Sequence, residues 1–442
     1  MIRVPTEAAD VERLLDDMEA GLDRGEVPLR IYGDSEIYRL ERERIFARCW
    51  NYLAHESEIP NPGDYVLRYV VDTPLIVSRD AEGVVHVLFD SCRHRGPRVC
   101  QAERGNTAAF RCAYHGWTYR SDGKLIGVPA RERFPQLDES EWSLLKPRMA
   151  IYRGLIFACF DERTESLEDY LGDFRWYIDI HFAIEPRMEV YGAPLRWTLP
   201  GNWKSGAENF AGDSYHTRML HRSVPEAGLS SFTAPTGAYD VHVTECSGHA
   251  TSAARLPPGE RAFWGNGAEY ADRLRAGGCT PAQIEFASRC MTGQGTIFPN
   301  ASFIHVYGND AKEHARSPFL GLALWRPTSP TTTEVWRWTF VPSWYTDEEK
   351  RRSATVAVSS FGPAGNAEQD DSVVWAGTAA AGASMFARLA DAKLNYSMAH
   401  PKLGGPAPMR DFAGPGVVFD ERLEDGVQRT ILRHWARRMR AE

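Results

Sequence analysis

The spacing of hydrophobic positions changes twice along this chain of 442 residues. Near the N-terminus, Val11, Leu14, Leu15, Met18 and Leu22 recur at helical spacing, with Thr6 as a candidate cap and acids near the first turn. A second helix is predicted from near Asp34 through Ile37, Leu40, Ile45 and Phe46 toward Trp50. From about residue 51 the pattern becomes short and β-rich. DYVLRYV, PLIVSR and VVHVLFD read as strands, with a turn at Asp80 to Gly83; KLIGV and GLIFACF follow a hairpin signal at Asp122-Gly123. The acidic stretch DERTESLEDYLGDF, Asp161 to Phe174, reads as a boundary. Beyond it the runs EVYGAPLRWTL, TIFPNASFIHVYG, FLGLALWRP and TEVWRWTFVP alternate with helices predicted near 259–275, 346–360 and 380–395. The last of these gathers Met385, Phe386, Leu389 and Leu394 on an apolar face. A C-terminal helix places Ile431, Leu432, Trp435 and Met439 on one side; its arginines (Arg429, Arg433, Arg437, Arg438 and Arg440) read as a solvated face.

The class this predicts is α+β. N-terminal helices over 1–50 pack on the larger domain, a small β-rich domain spans 51–165, and a larger domain of antiparallel sheet and helices spans 166–442. With 43% hydrophobic residues there is ample material for real cores. The balance of 51 basic and 59 acidic residues, net −8, gives no reason to expect nucleic acid or an anionic membrane as partner. No apolar run approaches a membrane span, and the acidic, amphipathic N-terminus does not read as a secretory signal, so the cytoplasm is the expected compartment. Eight scattered cysteines are too few for a disulfide scaffold. Cys100 reads as structural, and Cys49, Cys159, Cys246, Cys279 and Cys290 as buried thiols.

Chemistry concentrates between Cys92 and Trp117, where C-x-H is followed after seventeen residues by C-x2-H. Each half offers one thiolate and one imidazole on a short loop. Cys92 and Cys112 on one iron, with His94 and His115 on the other, make a Rieske [2Fe-2S] centre, whose neutral ligands raise its potential above that of an all-thiolate cluster. A closed Cys2His2 zinc site is the alternative, though the mixed C-x-H half departs from zinc-finger spacing. Gly96, Pro97, Gly105 and Gly116 let backbone approach the sulfurs, and Trp117 can shield a cluster from water. CRHRG followed by CAYHGWTY resembles the cluster motif of the Rieske non-haem iron ring-hydroxylating oxygenases, large (α) subunit.

In Asn202 to His221, NWKSGAENFAGDSYHTRMLH, metal-type side chains gather again. His216 and His221 are five apart, a poor match to one face of a straight helix, so a shared ion requires a helix end or kink between them. Two His and a carboxylate leave positions open on Fe(II) for O2. FGPAGNAEQDDSVVW is similar to the family's segment for the third ligand. The match places that ligand at Asp371, with Asp370 as the competing choice about 100° away on a helix.

The resemblance also implies that Asp213 bridges His216 to His115 of a neighbouring subunit, hence a ring of α3 or α3β3 type. It implies a helix-grip, START-like catalytic domain. Around the iron it places Asn209, Phe210, Thr217, Leu220, Phe298, Asn300, Phe361 and Ala367, and the small Ala367 favours a larger or substituted aromatic. Arg218 raises the competing idea of an aromatic carboxylate.

The function so implied is a terminal oxygenase component that hydroxylates an aromatic ring with O2, by cis-dihydroxylation, or alternatively by monohydroxylation or demethylation. No G-x-G-x-x-G fingerprint is visible, so a ferredoxin, an NAD(P)H reductase or both must supply electrons. Arg93, Arg95, Arg98 and Arg104 are candidate contacts for an acidic donor. A reading from another class is a non-catalytic Rieske electron carrier with an appended binding domain, which needs no second iron site.

Overall fold

The structure is a computed structural model that describes residues 7–226, 239–309, 316–420 and 424–440. The predicted cap Thr6 and the side chain of Arg218 lie outside the described residues. The chain divides into two compact units, one of Phe46–Leu167 and one of Met1–Ile45 with Glu168–Glu442.

The smaller unit is built from short antiparallel sheets. Four strands run in the order Val85–Phe89, Thr73–Arg79, Asp64–Val70 and Arg104–Asn106. The register sets Leu67 opposite Ile76 and Ile76 opposite Leu88, so alternate side chains line up across one face. That face joins Phe110, Trp117, Tyr119, Leu125 and Leu144 in one core, which also takes in Cys92 and Cys112. Each fully buried aliphatic contributes about 2 kcal/mol. The sheet therefore fixes the loops that carry the thiols.

In the larger unit α1 (Glu7–Asp23) buries Val11, Leu14, Leu15, Met18 and Leu22, and α2 (Ser35–Glu41) follows, capped by Asp34. The site-bearing helices are α3 (Trp203–Gly212), α4 (Thr217–Leu220), α5 (Asp347–Ser360) and α6 (Glu368–Gly382); α7 (Gly426–Arg440) closes the unit. Among the described residues, nine antiparallel strands form its main sheet, with Thr332–Pro342, Arg316–Ser329, Ala301–Asn309 and Cys290–Ile297 side by side. α3 lies close on this sheet. A Cβ at Gly206 would stand 2.5 Å from the Trp325 indole, Thr296 Oγ1 donates to Ala207 O at 2.6 Å, and Thr333 Oγ1 to Gly201 O at 2.8 Å. Behind α3, buried Glu41 accepts from Lys204 Nζ (2.5 Å), Trp203 Nε1 (2.9 Å) and Trp435 Nε1 (2.8 Å), tying α2, α3 and α7 together. No described helix is long and apolar enough to cross a membrane.

Three helix expectations need correction. The helix predicted near 380–395 is instead α6, ending at Gly382, and a short helix Met385–Leu389. Ser384 separates them because its Oγ accepts from Ala387 N at 3.1 Å and caps the second. Met385 and Phe386 are 77% and 70% exposed, so the apolar face expected there is not buried. The helix predicted near 259–275 is confined to Tyr270–Ala276 after a short turn, and Pro281–Arg289 is a further helix, capped by Thr280. The arginine face of α7 is not simply solvated. Arg429 is buried and donates to Tyr396 O and Met398 O, while Arg433 and Arg437 pair with Asp23 and Glu19 of α1. An acid-rich first helix thus meets a basic last one.

Candidate metal centres

The two halves of the Cys–His motif fold into near-copies of one turn. Gly96 N donates to Cys92 O at 2.8 Å and Gly116 N to Cys112 O at 3.0 Å; Cys92 N and Cys112 N donate to Pro97 O and Trp117 O. The glycines hold φ of +84° and +75°, left-handed values that a side chain would strain. Both thiols are thereby buried, 3% and 2% exposed, and lie next to one another. His94 and His115 stand with ring centroids 4.5 Å apart, and His94 stacks flat on Trp117. His94 Nδ1 is buried with no hydrogen-bond partner among the described residues. A bare buried nitrogen beside two buried thiols fits the ligand set of a mixed cluster. The Tyr119 hydroxyl lies 3.4 Å from Cys92 Sγ and accepts from Arg93 N at 3.0 Å, which leaves its own hydrogen for the sulfur. Of the four arginines, Arg98 pairs with Asp90 at 2.8 Å and Arg93 lies over Trp142, whereas Arg95 and Arg104 are exposed.

The second centre is built where a helix stops. α3 ends at Gly212, Asp213 caps it with its N–H on Asn209 O, and the chain restarts as the single turn α4. His216 precedes that turn and His221 follows it, so two imidazoles that a straight helix would splay apart face each other, Nε2 to Nε2 at 3.1 Å. From the first turn of α6, Asp371 Oδ1 reaches to 3.5 Å from each Nε2. This oxygen is buried and has no hydrogen-bond partner among the described residues. Two ligands about 2.1 Å from one ion, at angles of about 90–109°, stand roughly 3.0–3.4 Å apart. Spacings of 3.1 and 3.5 Å therefore let the three atoms cap one face of a single ion. Asp370 points elsewhere, its Oδ2 3.5 Å from His221 Nδ1.

Electrostatics follow from burial and pairing. Burial pushes Asp371 up to about 7 against the pull of His216, with Glu368, Asp213 and Asp370 adding to the push. Burial would lower His216, but Asp213, whose Oδ2 is 3.2 Å from Nδ1, outweighs it and raises the imidazole. His221 is lowered by burial and then by His216. Burial likewise opposes Asp213, yet His216 holds it below its ordinary value. Without an ion the centre thus retains protons that a metal must displace.

The residues expected around the iron are only partly gathered. Asn209 Nδ2 lies 3.4 Å from His216 Nε2; Phe210 packs on Trp325 and Phe361; Thr217 and Leu220 sit in α4 between the histidines; buried Ala367 directly precedes α6. Phe298 instead meets His434 of α7 edge-on at 4.7 Å, and Asn300 donates to Trp325 O at 2.9 Å. Two more buried charged groups stand here: Glu208, counted among the metal-type side chains of Asn202 to His221 in the sequence, is engaged by tyrosines, and Arg337 was passed over. Glu208 accepts from Tyr32 and Tyr396 hydroxyls at 2.6 and 2.9 Å, and burial pushes it to about 7. Arg337 donates to Glu368 at 2.5 Å. No local motif marks the two tyrosines, whereas Arg337 was visible as a charge flanked by two tryptophans in TEVWRWTFVP.

Fold and centres together define a class, the oxygenases that join a Rieske cluster to a mononuclear non-haem iron. Residues 49–139 match the Rieske [2Fe-2S] domain and residues 167–441 the ring hydroxylating alpha subunit (catalytic domain), so the chain belongs to the ring-hydroxylating oxygenase alpha subunits. It is 35% identical to the N,N-dimethyl phenylurea N-demethylase subunit alpha of Sphingobium sp. (strain YBL2) over 99% of this chain and 96% of that one. With a benzene 1,2-dioxygenase subunit alpha of Pseudomonas putida it shares 34% identity over 83% and 81%. The crystal structure of naphthalene 1,2-dioxygenase from Rhodococcus sp. bound to indole superposes with a TM-score of 0.91, at 38% identity over 98% of both chains. The protein is an oxidoreductase, the terminal component of a Rieske oxygenase, and its cofactors are a [2Fe-2S] cluster and a mononuclear iron. The zinc-site and electron-carrier alternatives are set aside by this membership.

Proposed function

We propose that this subunit takes single electrons at a cluster held by Cys92, Cys112, His94 and His115 and oxidises an aromatic compound beside an iron held by His216, His221 and Asp371. The observation that carries the reading is the triangle of two Nε2 atoms and the unpartnered Asp371 Oδ1. An iron bound there supplies a redox-active centre with open coordination positions at which O2 is activated. The chain's own part is to orient and to exclude. Asp213 accepts from His216 Nδ1–H, fixing its tautomer and leaving Nε2 for metal. Asp213 also reaches His115 of a neighbouring subunit in this reading, which implies an α3 or α3β3 ring. Phe210 and Phe361, packed edge to face on one another, form an aromatic wall for a flat substrate in this reading. Electrons come from a ferredoxin, an NAD(P)H reductase or both, in the cytoplasm.

The reaction favoured is cis-dihydroxylation, as the names of the benzene and naphthalene relatives suggest. N-demethylation is the second reading, supported by the demethylase relative that matches almost the whole chain. Turnover under 18O2 separates them. A cis-dihydrodiol carrying both labelled atoms supports the first, formaldehyde release with a secondary amine supports the second, and no oxygenated product from aromatic hydrocarbons or N-methyl aryl compounds counts against both.

A further inference from the structure

The strand Thr332–Pro342 brings one charged side chain, Arg337, to the side of the sheet that faces Glu368 of α6. Its side chain is 3% exposed, and Nη2 donates to Glu368 Oε1. Nε and Nη1 are buried and have no partner among the described residues. The guanidinium carbon stands 5.0 Å from the Phe210 ring centroid and 5.5 Å from that of Phe361. Its anchor Glu368 is one helical turn before Asp371. On one flanking strand the neighbours are small, while on the other Leu195 pairs with Arg337. Ala323 pairs with Arg337 across the strands, and at Gly321 even an added Cβ would remain 3.6 Å from Nη1.

We infer that Arg337 is a specificity residue, a buried guanidinium anchored by Glu368 that offers hydrogen-bond donors to an uncharged, carbonyl-type acceptor on the aromatic substrate. This rests on the site reading above. A buried donor without an acceptor costs about 1–3 kcal/mol, so bare N–H groups beside aromatic faces favour a ligand that brings an acceptor. Charge decides which acceptor. Glu368 already neutralises Arg337, so a carboxylate ligand on its free N–H groups would bring a second negative charge against the buried Glu368 carboxylate. A urea, amide or ester oxygen adds no charge. The ring of such a ligand packs beside Phe210 and Phe361, over which the guanidinium already lies, and its carbonyl finds the free N–H groups of Arg337.

The test compares 1,1-dimethyl-3-phenylurea with (3-methylbutyl)benzene, which has the same skeleton without the oxygen, by equilibrium binding to the iron-loaded protein. The variant is Arg337→Met with Glu368→Gln, which removes the donors without stranding a buried charge; Arg337→Lys serves as a second. The expected result is urea binding weaker by about tenfold or more in the double variant, hydrocarbon binding within about twofold of wild type, and partial recovery in Arg337→Lys. Equal weakening of both ligands would mark Arg337 as merely structural and overturn the inference, as would unchanged urea binding. A wild type that binds the hydrocarbon but not the urea also overturns it while leaving the oxygenase reading intact. Oxygen uptake that no aromatic compound stimulates would instead fail the underlying reading.

Discussion

Asp370 and Asp371 are adjacent in sequence and meet different atoms, because a helix turns about 100° per residue. Asp371 faces both Nε2 atoms and Asp370 faces His221 Nδ1. Asp371→Ala is expected to lose the mononuclear iron and Asp370→Ala to keep it, as read by iron content after gel filtration. Iron binding requires the carboxylate, and Asp371 without metal titrates up to about 7. Affinity for Fe(II) should therefore fall by at least about tenfold per pH unit below that value, and more steeply where the raised His216 also holds its proton, and calorimetry across that range measures the slope. At the cluster, Tyr119→Phe removes a hydroxyl donor to Cys92 Sγ. The donor stabilises the sulfur more in the reduced, more negative cluster than in the oxidised one, so its removal costs the reduced state most and the potential should drop. About 1 kcal/mol of differential hydrogen bonding is roughly 40 mV for one electron, within reach of a spectroscopic redox titration. The ligand types were legible in the sequence because chemistry restricts them. The family match pointed to Asp371 as the inward aspartate, whereas periodicity alone left Asp370 open, since that depends on where α6 begins.

Among elements, α3 does the most positioning, and its buried face carries Glu208. Unfolded, this carboxyl titrates near 4.5; folded, burial holds it at about 7. Between those values the folded chain keeps a proton that the unfolded chain has released, so stability falls as pH rises through that window. At 1.36 kcal/mol per pH unit the loss is roughly 3 kcal/mol. Glu208→Gln should flatten this dependence, as denaturation at pH 5 and pH 8 would show; an unchanged slope would assign the titration elsewhere. Periodicity revealed α1, α7 and the long strands, where one face is plainly apolar. It misjudged residues 380–395 because Ser384 caps locally within an otherwise uniform Ala-rich run. It misjudged the arginines of α7 because their acidic partners lie on α1, at the other end of the chain. The spacing of His216 and His221 called for a helix end or kink between them; the structure instead puts the break before His216, at Asp213, and the single turn α4 between the two.

For the whole molecule, the Cys–His motif falls in one compact unit and the His216–His221–Asp371 cluster in the other. A net charge of −8 makes exposed Arg95 and Arg104, beside the cluster motif, a local exception that suits an acidic donor. Arg95→Glu with Arg104→Glu should raise the donor concentration needed for half-maximal turnover several-fold and flatten its salt dependence, with product formation at saturating donor little changed. Unchanged donor kinetics would place the docking surface elsewhere. The central claim is that this one chain holds both a Rieske cluster and a separate mononuclear iron at the residues named. It is tested most directly by iron and sulfide analysis with EPR of the dithionite-reduced protein, on wild type and on His216→Ala with Asp371→Ala. The account predicts about three irons and two sulfides per wild-type chain, and in the variant the loss of one iron with the Rieske signal intact. A variant that keeps all its iron, or loses the Rieske signal along with it, would contradict the account.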